Sequence, residues 1–172
     1  MSRSGYVDDC EDQWALIRWR GAVNSAIRGA RGQAMLREVL VALDALPEKS
    51  LAAGSLETAD GEFCTLGALG RARGMDMAPI DPEDREAVAQ AFGIAEALAA
   101  EIMYLNDEYI DDWRYIEVEI YGPLRRWESR YQTVRVVDDR AGEKRWQYMR
   151  NWVLKKLRAA EPPQAASGSR GD

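Results

Sequence analysis

Met35-Leu36-Arg37-Glu38-Val39-Leu40-Val41-Ala42-Leu43-Asp44-Ala45-Leu46-Pro47 is the stretch of sequence that decides the fold class. Its apolar side chains recur at the spacing of one helix face: Met35, Leu36, Val39, Leu40, Leu43 and Leu46. Pro47 ends the helix because its ring clashes with the preceding turn and it has no N–H to donate. The stretch therefore predicts an amphipathic helix that packs against other helices.

Further helices are expected on both sides of this one. The first begins at a cap formed by Asp8 or Asp9, runs to residue 30, places Trp14, Ile17 and Gly21 on one face, and breaks at Gly29 and Gly32. Asp81-Pro82-Glu83 has the residues of a helix start, and that helix ends at Gly93. Helical periodicity also covers residues 66–73, 95–109 and 143–158, the last with Trp146, Met149, Trp152 and Val153 facing inward.

Two segments predict β-hairpins. Asp60-Gly61 suits a type I′ turn between residues 51–58 and 62–64. Residues 114–121 alternate with a period of two, and residues 131–137 supply an antiparallel partner. We therefore expect an α+β fold, a mainly helical single domain with two small antiparallel hairpins over residues 1–160. The polar residues 161–172 are expected to form a flexible tail.

The chain has no histidine among its 172 residues. Catalytic triads, Cys-His pairs and zinc sites that use histidine are therefore excluded. Its two cysteines make no disulfide framework, and 47% hydrophobic with 30% charged residues is a globular composition. We expect a protein that is not an enzyme and that uses neither a metal nor a cofactor.

Location is inferred from what the sequence lacks. No apolar run approaches the roughly 18 residues that span a bilayer. Met1-Ser2-Arg3-Ser4-Gly5 has no apolar segment of the kind that a secretory signal requires. We expect a cytoplasmic protein with no membrane contact.

Charge is distributed unevenly along the chain. Residues 51–122 carry sixteen acidic and four basic side chains, a net charge of −12, and residues 123–158 carry eleven basic and four acidic ones, a net of +7. The two regions either neutralise each other or form surfaces of opposite sign that steer association with charged partners.

The acidic region supplies the first candidate site. We expect a partner-binding acidic surface formed by Glu96, Glu101, Asp107, Glu108, Asp111 and Asp112. If the helix continued through residue 112, the last four would form i, i+4 carboxylate pairs, which repel unless a cation neutralises them. A magnesium site with phosphodiester chemistry is therefore an alternative, although the spacing matches no known metal motif.

The basic region supplies the second candidate site. Cations alternate there with aromatic rings, as in proteins that bind single-stranded nucleic acid. The candidate residues are Arg125, Arg126, Trp127, Arg130 and Tyr131. Trp127 and Tyr131 are expected to be exposed, whereas Trp146 lies on the apolar stripe of its helix.

Two other patterns favour structural roles. Residues 85–104 have the spacing of a helix-turn-helix, but the second helix begins Ile94-Ala95-Glu96-Ala97-Leu98, without side chains that read base edges. Cys64 precedes a helix, where a thiol pKa can fall. No base lies near it in sequence, and its apolar neighbours favour a place in the core.

Several ordered stretches resemble a group of uncharacterised proteins encoded by tailed bacteriophages and prophages. They include Trp19-Arg20-Gly21-Ala22-Val23, Leu43-Asp44-Ala45-Leu46-Pro47-Glu48-Lys49, Gly61-Glu62-Phe63-Cys64-Thr65-Leu66-Gly67-Ala68, Asn106-Asp107-Glu108 and Met149-Arg150-Asn151-Trp152-Val153. The segment 109–142 departs from that group by its length. The resemblance implies a phage accessory protein in a bacterial cytoplasm and supplies no site residues.

Together these observations favour a non-catalytic protein that binds and inhibits a host nucleic-acid-directed complex, such as a CRISPR-Cas defence complex, through the acidic surface. Carboxylates can occupy a site where lysine and arginine bind phosphate. The expected partner is a host protein or ribonucleoprotein. A nucleic-acid-binding accessory protein using residues 123–158 is the alternative. A homodimer through the second helix or the 114–137 hairpin stays open.

Overall fold

The computed structural model describes residues 3–5, 13–125 and 127–157. The elements along them are α1 (Gln13–Arg28), α2 (Ala30–Ala45), α3 (Thr65–Ala72), α4 (Arg85–Phe92), α5 (Glu96–Asp107), β1 (Trp113–Glu119), β2 (Tyr131–Val137) and α6 (Ala141–Lys156). The predicted α+β class, mainly helical in a single domain, is confirmed. The proposed cap at Asp8 or Asp9 and the proposed tail, 161–172, lie outside the described residues.

The core forms where α1, α3, α4 and α6 pack against α5 and where α2 packs against α1, α3 and α6. The predicted stripe on α2 is buried at Met35, Leu36, Val39 and Leu43. Near the end of α5, Asn106 is also buried: its Oδ1 accepts from the backbone N and the hydroxyl of Thr65, and its Nδ2 donates to the carbonyl of Ala52. Because its hydrogen bonds are satisfied, this polar side chain is accommodated in the core.

The face of α1 that carries Trp14, Ile17 and Gly21 is not the face that packs against the core. Trp14 is 71% exposed and Ile17 is 51% exposed, whereas Val23 and Ile27 are buried. The packed face runs through Trp19, Val23 and Ile27, at four-residue spacing, because only this face meets the other helices of the described chain. The spacing of Trp14 and Ile17 is helical, but helical spacing alone does not say which face is covered.

Two helix boundaries also differ from expectation. Gly32 does not break a helix but lies inside α2, where a Cβ would stand 2.0 Å from the carbonyl oxygen of Ala26, so the glycine allows α1 and α2 to approach closely. The cap of α4 is Asp84, which accepts from the backbone N of residues 86 and 87, whereas Asp81 accepts from Glu83 N in the preceding turn. An Asp-Pro pair suits either a turn or a cap.

Of the two predicted hairpins, the second is confirmed and the first is reduced to a single bridge. Tyr131–Val137 pairs with Trp113–Glu119 as a regular antiparallel hairpin. Residues 51–64 form only one isolated bridge, between Glu57 and Phe63, beside a turn in which Gly61 has a φ of +79°. This segment is irregular because Leu51, Leu56 and Phe63 each point into the helical core instead of alternating across a sheet.

Candidate binding site

The hairpin formed by residues 113–137, here called the arm, pairs almost entirely with itself. Its register joins Trp113 to Val137 and Glu119 to Tyr131, and Ile120 N donates to the carbonyl of Arg130 at 2.8 Å. Among the described residues, the arm has few close contacts with the helices. The arm therefore extends from the helical body and presents much of its surface to solvent.

Ion pairs to α6 hold both ends of the arm. Asp112, just before β1, pairs with Arg145, and Asp138, just after β2, pairs with Lys144. The Arg145 guanidinium is buried and also donates to the carbonyls of Leu51 at 3.4 Å and Ile110 at 3.3 Å. Because an unpaired buried cation is costly, this network fixes where the arm leaves the body.

One of these ion pairs and an aromatic contact support the root of the arm, where its two ends meet α6. The Lys144 ammonium donates to Asp138 and holds the pKa of that carboxyl below its usual range. Tyr109, in the segment that leads to β1, stacks on Tyr148 of α6 with ring centroids 4.2 Å apart. Burial, together with the neighbouring Tyr109, raises the pKa of Tyr148 to about 12, so this phenol stays protonated at neutral pH.

One face of the arm and its tip carry exposed aromatic rings. Tyr115 is 63% exposed, Tyr121 85%, Trp127 77% and Tyr131 56%. On the same face, the guanidinium of Arg135 lies 4.1 Å from the ring centroid of Trp113. Large exposed rings beside arginine are the residue types that contribute most to binding energy at interfaces.

The opposite face of the arm is largely apolar, as the alternation predicts, although Arg114 pairs with Val136 and Gln132 pairs with Val118 on it. Ile116, Val118 and Ile120 share this face with Val134 and Val136, and all five side chains are half-buried. Ile116 and Val134 are direct cross-strand partners, and such a pair of β-branched residues stabilises a hairpin by about 0.2 to 1 kcal/mol. This face supports the arm, while the aromatic face and the tip are presented to solvent.

The charges at the tip are nearly balanced. Arg130 lies 3.7 Å from Glu119, Glu128 accepts from the backbone N of Arg125 at 2.9 Å, and the guanidinium of Arg125 lies 5.7 Å from the ring centroid of Trp127. Four of the predicted nucleic-acid residues, Arg125, Trp127, Arg130 and Tyr131, therefore lie at or beside the tip of the arm, where Arg125 contacts the ring of Trp127. The fifth, Arg126, lies outside the described residues.

The rest of the predicted basic region does not join this surface. In α6, Arg145 is buried and Arg150 makes a double hydrogen bond to Asp44. Trp146 is half-buried and donates to the carbonyl of Leu43 at 3.0 Å. The expected exposure of Trp127 and Tyr131 and the packed position of Trp146 are confirmed.

The predicted acidic residues are largely engaged within the chain. Glu96 lies 2.9 Å from Arg85, Glu108 accepts from Ser4 at 2.7 Å, and Asp107 lies 2.8 Å from the Nε of Arg3. Asp107 also accepts from the backbone of residue 54. These contacts hold the described N-terminal residues 3–5 beside α5. Because the carboxylates are engaged in this way, they do not form a uniform acidic face.

The remaining three predicted acidic residues differ in exposure. Glu101 is half-buried beside the indole N–H of Trp19, and burial raises the pKa of its carboxyl. Asp112 belongs to the root of the arm. Asp111 is exposed and makes no ion pair with any residue that the structure describes. The prediction that these six carboxylates bind a partner is not tested by their placement.

Neither nucleophilic nor metal chemistry finds support among the described residues. Cys64 is buried, caps α3 by accepting from Gly67 N at 3.4 Å, and has a pKa raised by burial, which disfavours the reactive thiolate. Within the described ranges, no three acidic or cysteine side chains lie close enough to hold one metal ion. Because α5 ends at Asp107, the carboxylates at 107–112 do not form the helical pairs considered above.

The helix-turn-helix pattern also proves to be structural. The axes of α4 and α5 differ by 110° across the turn at Gly93, which has a φ of +66°. Leu98, Ala99, Ile102 and Met103 of α5 are all buried. A helix at the centre of the core is not available to enter a DNA groove.

No single helix among the described residues is long and apolar enough to cross a membrane; α4 and α5 meet that criterion only when taken as one bent pair. Comparisons of the chain with protein families, with characterised proteins and with solved structures find no match.

Proposed function

We propose that this protein acts without catalysis, by binding another protein through the exposed aromatic face and tip of the arm. The observation that carries the proposal is the arm itself, anchored at both ends to α6 and presenting Tyr115, Tyr121, Trp127 and Tyr131 to solvent. Exposure of four large aromatic side chains to water is unfavourable. When a partner covers them, they form an interface rich in aromatic residues, as is common between proteins.

The charge of the aromatic face favours a protein partner over nucleic acid, because it carries two carboxylates and one arginine, Arg135. Glu117 and Glu119 lie on the same face as Tyr115 and Tyr131, and Glu119 offsets Arg130. Phosphates would be repelled by these carboxylates, and nucleic-acid-binding surfaces carry a clear excess of cations. Mixed charge around aromatic rings is common at protein interfaces.

The resemblance to phage and prophage proteins suggests the setting. We propose a bacterial cytoplasm and, as target, a host protein or ribonucleoprotein complex that acts on nucleic acid, such as a CRISPR-Cas defence complex, which binding would inhibit. The acidic side chains predicted for this role stay a prediction. Asp111, the exposed member without an ion pair to the described chain, directly precedes Asp112 at the root of the arm.

A nucleic-acid-binding accessory protein is the second candidate. It is favoured by the cluster of Arg125, Trp127 and Tyr131 at the tip, where bases would stack on the exposed rings. This function requires an affinity that falls steeply with salt concentration.

Affinity purification from bacterial cells, with and without nuclease and followed by mass spectrometry, tests both functions. We expect one stoichiometric protein complex that survives nuclease, and at least about a tenfold loss of capture for Trp127→Ala with Tyr131→Ala. Trp14→Ala is the matched control, because Trp14 is equally exposed but lies on α1. Capture that disappears with nuclease would favour the second candidate, and unchanged capture by the arm variant would contradict both.

A further inference from the structure

A second surface, separate from the arm, lies between the turn at residues 55–59 and the loop at residues 75–82. It is a groove of about 510 Å³. Its floor is apolar: Leu56 is buried, and Met75, Met77 and Ile80 are partly buried against the core. A concave apolar floor at the surface is a feature of ligand and peptide sites.

Hydrogen bonds hold both walls of the groove. On one side, Thr58 N donates to the carbonyl of Glu62 at 2.9 Å, and Thr58 Oγ1 accepts from Glu62 N. On the other side, Asp76 accepts from the backbone of Ala78 at 3.1 Å, and Ile80 N donates to the carbonyl of Met77. The walls are therefore formed before any partner binds, while the methionine side chains of the floor can adapt in shape.

The rim of the groove is acidic. Glu57 and Asp76 line it and are exposed, and the exposed Asp81 and Glu83 follow directly in the loop. Of the residues that the structure describes, no lysine or arginine lines the groove. The nearest arginines in the sequence are engaged elsewhere: Arg73 pairs with Glu38 and Arg85 pairs with Glu96. Among the described residues, these acidic side chains therefore have no lysine or arginine beside them in the groove.

We infer that this groove binds a segment of a protein partner in which an apolar side chain is flanked by lysine or arginine. The apolar side chain would occupy the floor of Leu56, Met77 and Ile80, and the flanking cations would meet Glu57 and Asp76. The same rim repels phosphates, which separates this occupant from nucleic acid. The inference goes beyond the function proposed for the arm and does not depend on it.

Methyl NMR of the full chain labelled with ¹³C-methyl methionine tests the inference. Resonances of Met75 and Met77 are assigned with Met75→Leu and Met77→Leu, and the buried Met35, Met103 and Met149 serve as references. The probe is a synthetic amphipathic peptide of leucine and lysine, and its counterpart of leucine and glutamate is the control. We expect the lysine peptide alone to shift Met75 and Met77 in a saturable manner that weakens with added salt.

Charge variants establish that binding occurs at the groove. Glu57→Lys with Asp76→Lys is expected to weaken the lysine peptide about tenfold or more. Glu48→Lys with Asp139→Lys makes the same change in net charge at exposed positions outside the groove and is expected to leave affinity within about twofold. Equal effects of the two pairs, equal binding of the glutamate peptide, or shifts at Met75 and Met77 that depend only on the concentration of this chain would each overturn the inference.

Discussion

Replacing Arg145 with methionine should destabilise the protein and loosen the root of the arm. The arginine side chain is 4% exposed, pairs with Asp112 and donates to the carbonyls of Leu51 and Ile110. Methionine keeps the apolar stem but none of the donors. The hydrogen bonds from Arg145 to these two carbonyls are longer than 3.2 Å. The Asp112 side chain is 66% exposed, so water can solvate its carboxylate once the arginine is replaced, which limits the loss of stability. We therefore expect a loss of about 2 to 4 kcal/mol in the free energy of unfolding.

Urea denaturation measures this loss, and amide hydrogen exchange of residues 113–137 shows whether the arm loosens first. Arg150→Met is the matched control on the same helix, because Arg150 pairs with Asp44 at the surface and should contribute about 1 kcal/mol or less. A loss for Arg145→Met no larger than that of the control, with unchanged exchange in the arm, would refute the argument.

Gly67→Ala should cost about 3 kcal/mol or more because a Cβ there would stand 1.7 Å from the carbonyl oxygen of Leu56, whereas Gly21→Ala, with nothing within 4 Å, should stabilise α1 by about 0.5 to 1 kcal/mol; thermal unfolding compares them. Glu101→Gln should stabilise the protein at neutral pH, since burial raises the pKa of that carboxyl in the folded state. This advantage should diminish as the pH falls through the raised pKa and vanish below the ordinary value of 4.5, as denaturation over a pH series would show. In a Cys10→Ser background, Cys64 should react with a thiol reagent only after unfolding, because it is buried and its pKa is raised; rapid labelling of the folded protein would contradict its place in the core.

The spacing of apolar residues along the sequence predicts the helices and strands well, because neighbouring residues largely determine these elements. The stripe from Met35 to Leu43 buries as its spacing indicates, and the alternation around Ile116 and Val118 gives a regular strand. The exposure of Trp14 could not be predicted, because it depends on which neighbours cover the N-terminal half of α1. The expected first hairpin also depends on distant neighbours. Its side chains pack into the helical core, so only a single bridge forms between residues 57 and 63.

The sites were harder to predict because they depend on contacts between distant residues. Arg145 looks like one of many cations on α6, and only the fold brings it to Asp112, 33 positions earlier. The acidic residues at 96–112 share a charge but not a surface, since Arg3, Arg85 and Arg145 engage three of them. The groove at Met75 and Met77 lies between two loops, where no periodicity marks it.

Excision of the arm tests the central claim most directly. Asp138 N donates to the carbonyl of Asp112 at 2.9 Å, so a short glycine-serine turn can join these residues in place of 113–137. Because the arm pairs mainly with itself, the shortened chain should unfold cooperatively with a midpoint close to that of the full chain. It should capture none of the complex that the full chain captures. An equally stable shortened chain that still captures the complex in full would contradict the account.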